Sequence, residues 1–305
     1  MHIRKVLILA LCAMLLISGA SAETFTDAMG REVALDAAPE HTVALLGSYG
    51  EVWIAAGGYL AGTTQDALES PGAVAQGGVT NLGSHSEPNM ELLMELEPDF
   101  VILSADAAAH PAIAGILEDA GIPCAFFSIY DWRAYMDTLS LFTRITGRED
   151  LYLEQLESVQ TPIEALIESA QAQPGYGEKT ALLLRAYSTS VKAKGNADTV
   201  AGPILTDMGL INIADDDSAL SENLTLEAIL EADPDYIFVV AMGTDLEAAQ
   251  KTLEDTLLSN PAWNTLTAVR EGRFVTLDRE LFHLRPNARW AESYQIIYDL
   301  LYSEE

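Results

Sequence analysis

The sequence predicts an α/β protein built as two Rossmann-like lobes with parallel sheets, joined by one long interdomain helix. Three observations carry that expectation. The first is an internal repeat. Glu91-Leu92-Leu93-Met94-Glu95-Leu96-Glu97-Pro98-Asp99-Phe100-Val101-Ile102 returns 136 residues later as Glu227-Ala228-Ile229-Leu230-Glu231-Ala232-Asp233-Pro234-Asp235-Tyr236-Ile237-Phe238. Each copy reads as a short amphipathic helix that stops at Pro-Asp and turns into a buried strand, because proline excludes helical geometry at the residue before it. The second is an alternation of short apolar runs with helical segments in both halves, the spacing of βαβ units and hence of parallel sheets. The third is the stretch from Glu149 to Gln173, which has few breakers and apolar residues at Leu151, Leu156, Ile163, Leu166 and Ile167. It reads as one helix about 37 Å long.

Taken in order, residues 1–22 read as a secretory signal peptide. Arg4 and Lys5 are a short positive region, Val6 to Ile17 is an unbroken apolar run, and Ala20-Ser21-Ala22 supplies the small-x-small cleavage pattern. Twelve apolar residues make about 18 Å of helix, short of a hydrocarbon core of roughly 30 Å. Cys12 reads as part of that apolar run, because Leu11 is bulky where a lipid-attachment motif wants a small residue. The chain is therefore expected to be exported, to a periplasm or the outer face of the cytoplasmic membrane.

Residues 23–148 make the expected N-terminal lobe. It has a strand at Thr42–Leu46, a helix over Glu51–Ala56 with a Gly57-Gly58 stop, a strand near Leu60–Thr63, and then the repeat. His110–Ala120 leads through Gly121 to a strand at Cys124–Ser128. Residues 149–174 are the linking helix, with Gly147 before it and Pro174-Gly175 after it. Residues 175–305 repeat the layout: strand Thr180–Leu184, helix Val200–Met208, strand Leu210–Ile213, the second repeat copy, a helical stretch over Asp245–Val269, and strand Phe274–Leu277. A single stiff helix between the lobes predicts limited opening and closing.

Charge and cysteines exclude several classes. The formal charge of −30 becomes −32 without Arg4 and Lys5, which argues against nucleic acid or anionic lipid as partners. Cys124 is the one cysteine after the leader, so no intramolecular disulfide and no cysteine-based metal cluster is expected; its apolar neighbours suggest a buried strand thiol. The chain has no Gly-x-Gly-x-x-Gly, phosphate loop, Gly-x-Ser-x-Gly or His-Glu-x-x-His, and His41, His85, His110 and His283 are scattered. An enzyme is therefore not expected, and a free-zinc or free-manganese binder lacks converging imidazoles.

These residues together resemble the helical-backbone class of ABC-importer solute-binding proteins, whose members capture iron–siderophore complexes, haem or cobalamin. Asp27-Ala28-Met29-Gly30-Arg31-Glu32-Val33 looks like the family's entry hairpin, and Pro39 to Ser48 like its first strand and turn. Pro88-Asn89-Met90-Glu91 with Pro98-Asp99, and Leu226-Glu227 with Pro234-Asp235, look like its paired docking segments. Pro261-Ala262-Trp263, Ala268-Val269 and Gly272-Arg273 look like its C-terminal signature. The resemblance covers essentially all of the chain after the leader. It implies a monomer that captures a small metal chelate between the lobes and passes it to a permease dimer, with no intrinsic cofactor. It also implies that Glu91 and Glu227, one per lobe, meet the two permease subunits.

In open α/β sheets ligands sit beyond the strand C-termini. That rule selects Ser48 and Tyr49, His85 and Ser86, Ser104 to Asp106, and Tyr130 to Trp132 from the first lobe. From the second it selects Arg185, Tyr187, Met242 and Phe282-His283-Leu284-Arg285. Lys192 and Lys194 lie in a nearby loop. The expected binding set is Tyr49, His85, Tyr130, Trp132, Arg185, Tyr187, Met242, His283 and Arg285, with His283 as a possible iron or haem ligand. Aromatic rings bury ligand area and arginines pair with carboxylate or catecholate oxygens. The transported ligand is expected to be an iron chelate (a siderophore complex or haem). A corrinoid is the alternative, and a free metal or an oxyanion such as molybdate stands behind it.

Overall fold

Strands buried on both faces are built mainly of apolar residues, and the buried spans of the central strands are apolar: Val43–Ala44 and Phe100–Leu103 in one lobe, Ala181–Leu184 and Tyr236–Val240 in the other. The computed structural model describes residues 23–68, 71–197, 199–215, 220, 224–243 and 245–303; the predicted signal peptide lies outside them. The described chain enters through an antiparallel hairpin, β1 (Glu23–Thr26) with β2 (Glu32–Leu35). Its turn shows why Asp27, Gly30 and Arg31 occur together. The buried Asp27 carboxylate accepts from the N–H groups of Met29, Arg31 and Phe126, and Gly30 takes the left-handed φ of 77° that closes the turn. Arg31 then reaches the Cys124 carbonyl at 3.0 Å and covers the Phe126 ring at 4.5 Å, pinning the hairpin to the sheet. Burial works against the charge on Asp27, yet the Arg31 and Phe126 donors hold its carboxyl below the usual range.

The N-lobe sheet is parallel, in the order β5 (Thr80–Asn81), β4 (Leu60–Thr63), β3 (Thr42–Ala44), β8 (Phe100–Ser104), β9 (Cys124–Phe127). A small hairpin, β6 (Gly83–Ser84) with β7 (Glu87–Pro88), precedes the first repeat helix. The C-lobe sheet runs β11 (Val191–Ala193), β10 (Lys179–Ala186), β13 (Tyr236–Ala241), β14 (Phe274–Leu277), with β12 (Leu210–Asn212) also on β10. Its pairs are parallel except β10 with β11. The expected α/β fold with two lobes and parallel sheets is what the chain adopts. Cys124 is buried in β9, and burial pushes its thiol up.

The repeat survives to the level of single dihedrals. Helices Met90–Glu95 and Leu226–Ala232 are followed by Glu97 and Asp233, with left-handed φ of 46° and 38°, each directly before proline. The aspartate after each proline ties down the start of the neighbouring strand. Asp99 accepts from the N–H groups of Glu40 and His41, and Asp235 accepts from the N–H and hydroxyl of Thr180. Pro-Asp therefore both stops a helix and sets the register of two strands.

The linking segment differs from a plain helix. It is α-helical over Glu149–Gln155 and Thr161–Gln171, with a π-helical turn at Leu156–Gln160 between them. Pro162 explains the turn: it has no N–H to donate and its ring collides with the carbonyl one turn back, so the helix widens just upstream. The Leu156 carbonyl accepts both the Thr161 N–H, which closes the π turn, and the Thr161 hydroxyl at 3.0 Å. The predicted helical stretch Asp245–Val269 is likewise divided, into Leu246–Leu253, a π turn, a 3₁₀ segment at Pro261–Thr265 and Thr267–Arg270. Pro261 supplies the break there.

The largest apolar cluster does not respect the lobe boundary. It runs from Tyr49, Trp53 and Phe142 through Val159 and Ile163 of the linking segment to Phe238, Trp290, Tyr294 and Ile297. Smaller clusters lie on the outer face of each sheet. The terminal helix Trp290–Tyr302 packs on Thr161–Gln171, and Trp290 is fully buried.

Candidate functional site

The parallel strands of both lobes end at one cleft of about 190 Å³. From the N-lobe it is lined by Leu46, His85, Ser104, Asp106, Ala107 and Tyr130, and from the C-lobe by Arg185, Val200, His283 and Arg285. His85, Tyr130, Arg185, His283 and Arg285 are thus brought together as the strand-end rule expects. Four residues of the expected set do not line the cleft. Tyr49 points inward from the first turn of helix Gly47–Ala55 and is fully buried; its hydroxyl accepts from the Ile129 N–H at 3.3 Å. Trp132 is buried at the start of helix Trp132–Thr146, beneath the Arg133 guanidinium at 4.6 Å. Met242 is buried, its N–H bound to the Ala186 carbonyl at the end of β10. Tyr187 packs against the shared core with the Lys192 ammonium 6.0 Å from its ring. Each stands at a strand end, but side-chain direction there is set by local turns that spacing does not reveal.

Arg285 is the most constrained group. Its side chain is 14% exposed, its Nε donates to the Ile129 carbonyl at 2.8 Å, and the Tyr49 and Tyr130 rings lie 5.1 and 5.2 Å from its Cζ. Tyr49 therefore serves the cleft from below, as one wall of a cation–π sandwich. Asp106 of the N-lobe meets the Arg285 Nη2 at 3.3 Å. Arg185 faces Lys192 directly across β10 and β11, so two like charges share one side of the hairpin, an arrangement that favours an anion nearby.

His283 follows helix Arg279–Phe282, and its N–H closes on the Arg279 carbonyl at 3.0 Å. Burial, and then the charges of Arg185, Arg279 and Arg285, push its imidazole down to about 4, so it is neutral at pH 7. Its Nδ1 is buried with no hydrogen-bond partner among the described residues, as is the Nε of Arg279. Arg279 is the residue that sequence reasoning missed. The signal was its spacing, four residues before His283 at a helix end. Among the described residues no group of three or more His, Cys, Asp and Glu side chains could hold a metal ion.

His110 was also overlooked. It is fully buried behind the cleft, where the Ser104 N–H donates to its Nδ1 at 2.8 Å and its Nε2 lies 3.1 Å from the His85 carbonyl. An amide can only donate, so Nδ1 accepts and Nε2–H donates to His85, which fixes the neutral tautomer. Burial lowers its pKa in the same sense. His110 thereby holds the rim loop carrying His85 to the end of β8.

Outside the cleft, Glu91 and Glu227 are exposed in the first turns of the two repeat helices, which are capped by Asn89 and Thr225. No described helix is long and apolar enough to cross a membrane.

Residues 43–281 match a protein family described as periplasmic binding protein. The chain is similar to the Fe(3+)-citrate-binding protein YfmC of Bacillus subtilis, with 30% identity over 207 residues, 66% of this chain and 60% of that one. It is also similar to the petrobactin-binding protein YclQ of the same organism, 23% identical over 212 residues, covering 67% and 62%. The matched region thus spans about three fifths of these relatives. Among solved structures, Staphylococcus aureus SirA complexed with staphyloferrin B superposes with a TM-score of 0.71 at 21% identity, covering 92% of this chain and 97% of that one. The vitamin B12-binding protein BtuF of Vibrio cholerae gives 0.68 at 16% identity, covering 87% and 97%. Both share the fold.

Proposed function

Because this chain belongs to the periplasmic binding protein family, we propose that it captures a small anionic iron chelate in the interlobe cleft and presents it to an ABC-importer permease. One observation carries the reading. In a chain of formal charge −30, Arg185, Arg285 and Arg279 converge around a neutral histidine at the mouth of both sheets. Guanidinium groups held away from bulk water bind carboxylate-bearing ligands bidentately, and a positive cleft on a negative body attracts an anion to that place.

Size narrows the ligand. The cleft is compact, at about 190 Å³ against the ~300–1,000 Å³ usual for drug-sized ligands. That favours a compact hydroxycarboxylate complex, such as the ferric citrate named for one relative, over haem or a corrinoid. Haem is the second reading, supported by the aromatic wall of Tyr130 and by His283, whose neutral imidazole has the protonation state an iron ligand needs. The protein needs no cofactor of its own in this role and performs no catalysis. It works outside the cytoplasm, in keeping with the predicted leader. One copy suffices, since a single chain carries Glu91 and Glu227 on its two lobes for a two-fold permease.

The test is a titration of the purified protein with ferric citrate, haemin and cyanocobalamin, followed by tryptophan fluorescence and visible absorption. Ferric citrate is expected to bind at micromolar concentration or tighter, with no shift of the haemin absorption band. A haemin shift that vanishes in His283→Ala, with no response to ferric citrate, would replace this reading by haem.

A further inference from the structure

Among the described residues Asp106 is the only carboxylate that lines the cleft. It lies just after β8, where its N–H donates to Ser104 Oγ at 3.2 Å and its two oxygens lie 3.5 and 3.3 Å from the Ser128 hydroxyl. Its carboxylate is thus aimed across the cleft, at Arg285 of the opposite lobe. Arg285 has little choice of partner. Tyrosine rings lie close to its guanidinium and its Nε is taken by the Ile129 carbonyl, so its Nη groups remain for an anion, and Asp106 sits on Nη2.

We propose that Asp106 is a stand-in for the ligand: it occupies the anion position on Arg285 while the cleft is empty, and a ligand binds by displacing it. The inference rests on the anionic-ligand reading above and deepens it into a rule of selection. Exchanging one carboxylate for another on the same arginine gains little, so a monoanion has almost no net reason to enter. A polyanionic chelate replaces Asp106 on Arg285 and keeps further charge for other polar groups of the cleft, such as His85 and Ser104, and only those added contacts favour its entry. Asp106 therefore weakens every anion by a similar factor and leaves only multiply charged ligands above the threshold. The pair also spans the lobes, so ligand entry trades a protein bridge for a ligand bridge.

The sign of the effect is the test, because removing a residue that contacts ligand weakens binding and removing a competitor tightens it. Asp106→Asn keeps the shape and an acceptor for Ser128 while deleting the charge. Wild type and variant are titrated calorimetrically with iron-free citrate, ferric citrate and acetate at one ionic strength, with Asp106→Ala as a second variant and thermal melts to check folding. Both variants are expected to bind either form of citrate roughly three- to tenfold tighter than wild type, and to gain a measurable response to acetate. If wild type binds ferric citrate and neither variant binds it more tightly, the stand-in role is overturned while the anionic-ligand reading survives. Weaker binding by the variants would make Asp106 a ligand contact instead. If the variants bind citrate and wild type does not, the stand-in role holds and the ligand assignment is what fails. If no protein binds any of the three anions, both fall.

Discussion

The two lobes share a plan down to the left-handed residue before each Pro-Asp, yet they bring opposite chemistry to the cleft between them. The N-lobe contributes Ser104, His85, Tyr130 and the carboxylate of Asp106; the C-lobe contributes Arg185, His283 and Arg285, with Arg279 behind them. Elements that place strands and helices have kept their symmetry, because both lobes must solve the same packing problem. Elements that line the cleft have lost it, and the anionic ligand proposed above would meet its guanidinium groups from the C-lobe alone. The outer helices kept theirs as well: Glu91 and Glu227 remain matched, as the proposed two-fold permease would require.

The largest expected effect breaks the symmetric part. Replacing both Glu91 and Glu227 by lysine is expected to abolish ligand uptake through the importer while leaving ligand affinity within about twofold, whereas either single reversal leaves partial uptake. Loss of affinity in the double variant would move these residues off the docking face.

Next comes the asymmetric part. Arg285→Ala is expected to weaken ferric citrate about 10- to 100-fold, because the ligand loses its arginine and meets an unpaired Asp106 carboxylate in its place. Arg285→Lys rescues little of this, since an ammonium does not reproduce a planar group between two rings. Ser104→Ala on the opposite wall should cost less than about threefold on the same titration. Comparable losses from the two walls would refute the division of labour.

The pH dependence of stability is smaller and local. His283 titrates near 4 in the folded chain and at about 6.5 when unfolded, so the unfolded state takes up the proton first as pH falls. Its contribution is fully present above pH 6.5 and is lost between 6.5 and about 4, on the order of 3 kcal/mol at most. Denaturant melts of wild type and His283→Asn should therefore converge as the pH is lowered across that window. Parallel curves would mean the imidazole is not held neutral by its arginines.

The smallest effect compares the two Pro-Asp turns. Asp233 in its left-handed turn accepts from the Thr267 N–H and hydroxyl at 2.7 Å each, so Asp233→Ala should destabilise by about 1–2 kcal/mol. Glu97 holds the same conformation, and glycine relieves it at no steric cost, so Glu97→Gly should be neutral or stabilising by up to about 1 kcal/mol. Equal effects in the two lobes would erase the distinction.

How much of this was legible in the sequence follows from what each feature depends on. The sheets were readable because buried parallel strands must be continuously apolar, and the repeat was readable because proline acts on its own neighbour. The linking segment was half readable: Pro162 was in view, but a missing N–H can be absorbed by a kink, a break or a π turn, and the neighbours that decide lie elsewhere in the chain. That Arg185, His283 and Arg285 meet at one cleft followed from strand ends alone. Tyr49 was found for the wrong surface, because one turn of helix aims it under Arg285 instead of into the cleft. Arg279 stands one helical turn before His283, a spacing that was in view but is shared by many surface arginines, and His110 acts through a backbone amide, which leaves no mark at fixed spacing.

The apolar cluster that crosses the lobe boundary has a mechanical meaning. A protein hinged on loops can exchange its cargo by thermal fluctuation, whereas halves that share Trp53, Ile163 and Trp290 in one packed interior must shear that interior to part. Spontaneous release of the proposed ligand would then slow exponentially with the work of that shear. Unloading would fall to whatever grips both lobes at once, and the proposed permease would act as a lever on a stiff body.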